Sequence, residues 1–214
     1  MVQRIIDMKR FAFLLVCLSI GLGFVVDAAT NLNVAGSVQR LKGSVIAVQD
    51  AEVRTLKPGD DIYIGDILST GADARLEVKM IDDASFKLGA RTSFVVVDYT
   101  FGQGNNNVVM NLLNGAMDGV SGQIAKINPD GMKILTKHGT IGIRGTKFFV
   151  GEIDHVLSVA HWSGGGVHVK NHGGEIFLNE EQVGTTIVHD HKAPSPVVSW
   201  RGEKKKKAIA LIHH

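Results

Sequence analysis

Apolar and polar side chains alternate with a period of two along most of this chain, and glycine interrupts the pattern every few residues. Leu76, Val78 and Met80 alternate with Arg75, Glu77 and Lys79, so a strand there shows one apolar and one charged face. Asp82-Asp83-Ala84 follows as a turn, and Phe86 and Leu88 resume the alternation up to Gly89. Ser93 to Tyr99 is β-branched and aromatic, and Val108 to Leu113 is an apolar run closed by Asn114-Gly115. After Ile124 to Ile127, Asn128-Pro129-Asp130-Gly131 forms a strong turn, because proline presets φ and glycine accepts positive φ. Met132 to Thr136 continues as a strand. Between Leu112 and Lys126 the pattern weakens, and Ala116-Met117 with Val120 predict a short helical turn. Glycine makes up 25 of the 214 residues, about 12% against roughly 7% in ordinary proteins. Gly36, Gly43, Gly59, Gly65, Gly71, Gly89, Gly115, Gly122, Gly131, Gly139 and Gly145 bracket strand-length segments. The expected fold class is all-β: short glycine-punctuated strands in a compact sandwich, barrel or solenoid-like domain, three architectures that periodicity does not separate.

The amino terminus has a different chemistry. Arg4, Lys9 and Arg10 precede an uncharged apolar run from Phe11 to Val26, followed by Asp27-Ala28-Ala29. Basic residues, an apolar stretch and small residues in that order predict a signal peptide over residues 1–28, cut after Ala28 or Ala29. The run of sixteen residues is short of the roughly 20 that cross a hydrocarbon core; the alternative is an inner-membrane anchor over residues 11–26. The single cysteine, Cys17, lies inside the run. Val16 before it and the apolar residues after it argue against lipidation. The mature chain is therefore expected to lack thiols and to rely on packing in an oxidising compartment. The expected location is the periplasm or another exported site.

The formal charge of +2 is unevenly spread. The leader carries +1 and the tail from Arg201 carries +4, which leaves −3 for residues 29–200. A mildly acidic body lacks the basic face that phosphate neutralisation requires, so no nucleic-acid partner is expected. Residues 29–190 are expected to form the all-β domain, and residues 191–214 a basic, flexible tail. In that tail Lys204, Lys205, Lys206 and Lys207 suit weak contact with an anionic membrane surface.

Several segments resemble the FecR domain family of bacterial envelope proteins. Leu56-Lys57-Pro58-Gly59-Asp60, Ile64-Gly65-Asp66-Ile67-Leu68-Ser69-Thr70-Gly71, Leu76-Glu77-Val78 and Phe86-Lys87-Leu88-Gly89 are similar to its glycine-aspartate turn, threonine-glycine turn and following strands. Thr140-Ile141-Gly142-Ile143-Arg144-Gly145-Thr146-Lys147-Phe148 resembles its apolar strand closed by Arg-Gly-Thr, and Gly166 to Val169 with Gly174 to Leu178 match its trailing strands. The resemblance covers roughly residues 36–188. It implies a periplasmic sensing or scaffold module whose partner is another envelope protein or a cell-wall polymer. The signature residues are Gly59, Asp60, Gly65, Asp66, Thr140, Gly142, Arg144, Gly145 and Thr146. Taken by themselves, Asp60 and Asp66 suit turns in which the carboxylate caps backbone N–H groups, and Arg144 suits a bond to a nearby carbonyl or carboxylate that fixes the strand end. Ten residues precede the apolar run, too few for a cytoplasmic regulatory domain, so direct sigma-factor control is not expected.

Residue patterns for catalysis are thin. Gly-x-Ser-x-Gly does not occur. Ser163 beside Gly164-Gly165-Gly166 has no partner visible in sequence, and Asp82-Asp83 and Glu180-Glu181 fit turn and surface positions. His168 and His172 are four apart in a strand context, which does not put them on one face as a helix would. His189 and His191 share one strand side, and His213-His214 ends the chain. No metal site and no cofactor are expected. The principal reading is a non-catalytic binding, sensing or scaffold module; the alternative is a metal-dependent or hydrolytic enzyme on an all-β scaffold.

Overall fold

The computed structural model describes residues 33–102 and 104–213; the leader, Cys17 and the expected cleavage point lie outside them. The chain opens with β1 (Val34–Lys42), β2 (Val45–Gln49), β3 (Glu52–Thr55), β4 (Asp61–Tyr63) and β5 (Ile67–Thr70). Next come β6 (Arg75–Met80), β7 (Ser85–Leu88), β8 (Ser93–Thr100), β9 (Asn107–Asn114) and β10 (Ala116–Val120). A single-turn helix, α1 (Ile124–Ile127), leads to β11 (Met132–Thr136), β12 (Gly139–Ile143), β13 (Thr146–Ile153) and β14 (Val156–Gly164). β15 (Val167–Asn171), β16 (Gly174–Leu178), β17 (Val183–Ile187), β18 (Val198–Ser199) and α2 (Glu203–Ile212) complete it.

These strands form an open sandwich of two nine-stranded sheets. The first runs β4-β1-β6-β7-β10-β13-β14-β17-β18 and the second β3-β2-β5-β8-β9-β11-β12-β15-β16. Both orders climb almost in step with the sequence, because the chain crosses between sheets every one or two strands. Among the described residues one neighbouring pair is parallel, β9 with β11. Parallel neighbours need a crossover connection, and β10 with α1 supplies it by way of the opposite sheet.

The alternation sorts side chains as periodicity demands. Leu76, Val78 and Met80 of β6 are buried while Lys79 is exposed, and Phe86 of β7 meets Phe94 of β8 across the sandwich with ring centroids 6.4 Å apart. One apolar cluster runs from Ala35 to Ile187 and draws on both sheets. At roughly 25 cal/mol per Å² of apolar surface removed from water, that continuous interior is what holds the sheets face to face.

β13 and β14 break the alternation, being buried on consecutive residues over Phe148–Gly151 and Leu157–His161. Their outer face belongs to a second cluster of Ala116, Phe149, Ile153, Ala160, Trp200, Ala208 and Ile212. The segment expected as a flexible tail supplies three of those seven residues. β18 pairs with β17, Trp200 is fully buried, and α2 lays Ala208 and Ile212 on the sheet. Within that segment Val198–Ser199 and Glu203–Ile212 carry regular structure, because Trp200 and one apolar stripe of α2 find an uncovered sheet face. The lysines follow. Lys204 sits over the Trp200 ring at 4.6 Å, Lys206 pairs with Glu203, and Lys207 pairs with Asp154.

One further expectation shifts. Ala116-Met117 and Val120 lie in strand β10, and the helical turn falls at Ile124–Ile127, where Asp82 Oδ2 accepts the Ile124 N–H at 3.1 Å. Two glycines inside strands are seats for rings. A Cβ on Gly184 in mid-β17 would stand 2.5 Å from the Trp200 indole, and one on Gly119 in β10 would stand 2.6 Å from Phe148.

Candidate functional site

The signature residues divide into two groups far apart in strand order. Gly59, Asp60, Gly65 and Asp66 occupy the turns around β4, near one end of the sandwich. Asp60 accepts the Lys57 N–H at 2.8 Å and closes its turn. Asp66 is fully buried; its two carboxylate oxygens accept from the Arg54 guanidinium at 2.7 and 2.6 Å, and one also accepts the Tyr63 N–H at 2.8 Å. The Arg54 guanidinium lies 4.8 Å from the Tyr63 ring centroid. Gly65 takes φ of +97°, which a side chain rarely adopts. This arrangement locks a corner of the fold.

Thr140, Gly142, Arg144, Gly145 and Thr146 lie near the other end. Gly145 and Thr146 carry the chain from the second sheet into the first: Gly145 has φ of +64°, and the N–H of the buried Thr146 donates to Ser121 Oγ at 2.8 Å. Thr140, Gly142 and Arg144 instead open onto the outer face of the second sheet. They line a groove of about 730 Å³ across β11, β12 and β15. Gly142 contributes no side chain to its floor, and only the His168 side chain approaches within van der Waals reach.

The walls are cationic and aromatic. Arg144 donates to Asp130 Oδ1 at 2.9 Å and is about 40% exposed, so part of its fork faces the groove. His168 and Phe177 are register partners on β15 and β16 and stack with centroids 4.1 Å apart and planes 5° from parallel. The Arg144 guanidinium lies 5.8 Å from the Phe177 ring. Glu175 accepts from His168 Nε2 at 3.1 Å, and Lys170 Nζ stands 3.8 Å from the same carboxylate. Lys133 and Lys170 add exposed ammonium groups. Planar guanidinium, a flat stacked platform and two lysines together suit a carboxylate, a peptide backbone or a sugar ring.

Strand alternation also identifies residues that the sequence patterns did not single out. Lys133, Lys170 and Phe177 become neighbours only through the β11-β12-β15-β16 pairing; the available signal was Phe177, an aromatic that shares the Glu175 side of β16 while Ile176 and Leu178 take the other. Asp82, expected as a surface turn residue, is buried. It accepts the Tyr99 hydroxyl at 2.5 Å and the Ala84 and Ile124 N–H groups at 3.1 Å each. Burial and the Asp82 charge push the Tyr99 hydroxyl well above its ordinary value. Ser163 lines a separate pocket of about 370 Å³ beneath α2 with Asp118, Phe149, Trp162 and Lys205. There Asp118 accepts the Trp162 indole N–H at 2.7 Å, and burial raises the Asp118 carboxyl despite that bond and the nearby Lys147.

Among the described residues no helix is long and apolar enough to cross a membrane. No curated protein matches the chain. Two crystal structures of a candidate anti-sigma factor from Parabacteroides distasonis are similar to it, at 15% and 14% identity and a TM-score of 0.51 in each case. Each match covers 65% of this chain and 62% of that protein, so the likeness is one of fold over less than two thirds of the neighbour's length. The FecR protein family model matches residues 66–165, a span that takes in Asp66 and the run from Thr140 to Thr146 but stops before His168, Lys170 and Phe177. Over residues 66–165, then, the chain is similar to the FecR protein family, and that span is set in a larger open β-sandwich.

Proposed function

We propose that this chain is an exported, non-catalytic regulatory module that binds another envelope protein or a cell-wall polymer in the groove on its second sheet. One observation carries the reading: Arg144, the His168–Phe177 stack, Lys133 and Lys170 converge on an open surface around the side-chain-free Gly142. Such a surface recognises extended ligands through flat contact and charge-assisted hydrogen bonds, with specificity spread along the strand direction. Export rests on the leader sequence, and the periplasm is the compartment that this leader implies. The anti-sigma role belongs to the fold neighbours; at their identity to this chain it is not part of the proposal. Lys206 and Lys207 are exposed on α2, and any weak contact with an anionic membrane surface would run through them.

The test is crosslinking and pull-down from the organism's own envelope fraction, with the wild-type chain beside Arg144→Ala and Phe177→Ala. A defined partner recovered by wild type and reduced about five- to thirtyfold by both variants is the expected result, since each removes a central contact worth about 1–2 kcal/mol. Equal recovery by the variants moves binding off the groove. Robust turnover on a panel of generic hydrolase substrates replaces the module with the enzyme reading.

A further inference from the structure

Three groups from two segments distant in sequence meet at the margin of the groove. His172 lies in the β15–β16 turn, and Asp190 and His191 lie in the loop that follows β17. Each can offer one ligand atom, and these atoms all fall within 4.8 Å of one another. His172 Nδ1 already contacts Asp190 Oδ2 at 2.7 Å, and the two imidazole centroids are 5.3 Å apart.

Their backbones are held together independently of these side chains. The Asn171 amide donates to the His189 and Lys192 carbonyls at 3.2 and 2.8 Å, while its oxygen accepts the Gly173 and Gly174 N–H groups at 3.0 and 3.1 Å. Gly173 N–H donates to the Asp190 carbonyl at 3.2 Å. The two segments approach so closely that a Cβ on Gly173 would stand 2.4 Å from the Lys192–Ala193 backbone. A turn and a loop joined this tightly present their three side chains on a prepared base.

We propose that His172, Asp190 and His191 form a divalent transition-metal site, with Zn²⁺ as the fitting ion. Two imidazoles and one carboxylate are the donor set that zinc accepts, and three protein ligands leave a position for water. Bonds of about 2.0–2.1 Å place tetrahedral donors roughly 3.4 Å apart, a spacing that rotation of two exposed imidazoles reaches from the present arrangement. Binding replaces the hydrogen bond between His172 and Asp190, and a neutral imidazole that ligates through Nδ1 carries its proton on Nε2. Because His172 and Asp190 also line the groove, the ion would staple the β15–β16 hairpin to the loop after β17 and stiffen the groove's rim. The site stands without the binding role proposed above.

The experiment is calorimetric titration of Zn²⁺ into the chain prepared without an added histidine tag, alongside His172→Ala, His191→Ala and the control His213→Ala. All three positions are exposed, and circular dichroism establishes that each variant keeps its strands. One ion per chain is expected, bound at least tenfold more weakly by His172→Ala and by His191→Ala and unchanged by His213→Ala. Hydrogen exchange across residues 171–174 and 189–193 should slow on zinc addition in the wild type and not in His172→Ala. Absence of saturable binding overturns the site, as does wild-type affinity in the His172 and His191 variants or loss of binding in His213→Ala alone.

Discussion

At the scale of single residues, buried charge does much of the positioning. Asp66 has no contact with solvent, and its partner Arg54 is about a third exposed. Arg54→Ala leaves a buried carboxylate with the Tyr63 N–H as its remaining short contact. Stranding one member of a buried pair costs about 3 kcal/mol or more, less here because solvent reaches the arginine side, so about 2–3 kcal/mol is expected. Urea denaturation should show a lower midpoint at an unchanged slope. Asp118 acts in the opposite sense. Its carboxyl is raised above the ordinary 3.8 by burial, so in mildly acid solution the folded chain holds a proton that the unfolded chain has released. The stability linked to that proton is complete below the unfolded pKa and is lost as pH rises through the folded one. Asp118→Asn keeps an oxygen to accept the Trp162 N–H and removes the titration. The decline in melting temperature between acid and neutral pH should therefore be shallower in the variant; identical slopes would mean that Asp118 does not titrate differently in the fold. Asp66 and Asp82 show why sequence misjudges such groups. A carboxylate followed by a turn looks solvated until its partners, Arg54 twelve residues away and Tyr99 seventeen residues away, are placed beside it.

Among the elements, the strands with one solvated face were legible and those covered on both faces were not. β6 and β7 alternate cleanly because each meets the core on one side only. β13 and β14 lose the alternation because α2 and Trp200 lie over their second face. Turn chemistry was legible where glycine or proline carries it. It was hidden in the β2–β3 and β13–β14 hairpins, whose two-residue turns use Asp50-Ala51 and Asp154-His155 at positive φ, the backbone that such tight hairpins require. Trp200 is the element-scale anchor of the chain's end. It nests against Gly184 and lies 6.2 and 6.0 Å from the Phe149 and Trp162 rings. Trp200→Ala empties that seat and should cost about 3–5 kcal/mol. Limited proteolysis should then cut within residues 201–213, which resist cleavage in the wild type; continued resistance would show that α2 docks without its anchor.

For the molecule as a whole, the amino-acid order determined an all-β body of short strands, its turns at Asn114-Gly115 and Asn128 to Gly131, and a FecR-like signature read from Gly59 to Thr146, which the family model meets from Asp66 onward. Each depends on neighbours within a few residues: whether a side chain points in or out of one strand, or whether one backbone bond tolerates positive φ. The tertiary structure decided the open sandwich over the barrel or solenoid, the return of residues 198–212 onto the first sheet, and the groove that joins Arg144 to His168 and Phe177. It also decided the meeting of His172 with Asp190 and His191. These are consequences of strand pairing between distant segments, and pairing is selected by the shared core that two sheets bury together. No local period encodes that choice, because the energy that makes it resides in contacts formed only once the whole chain has closed.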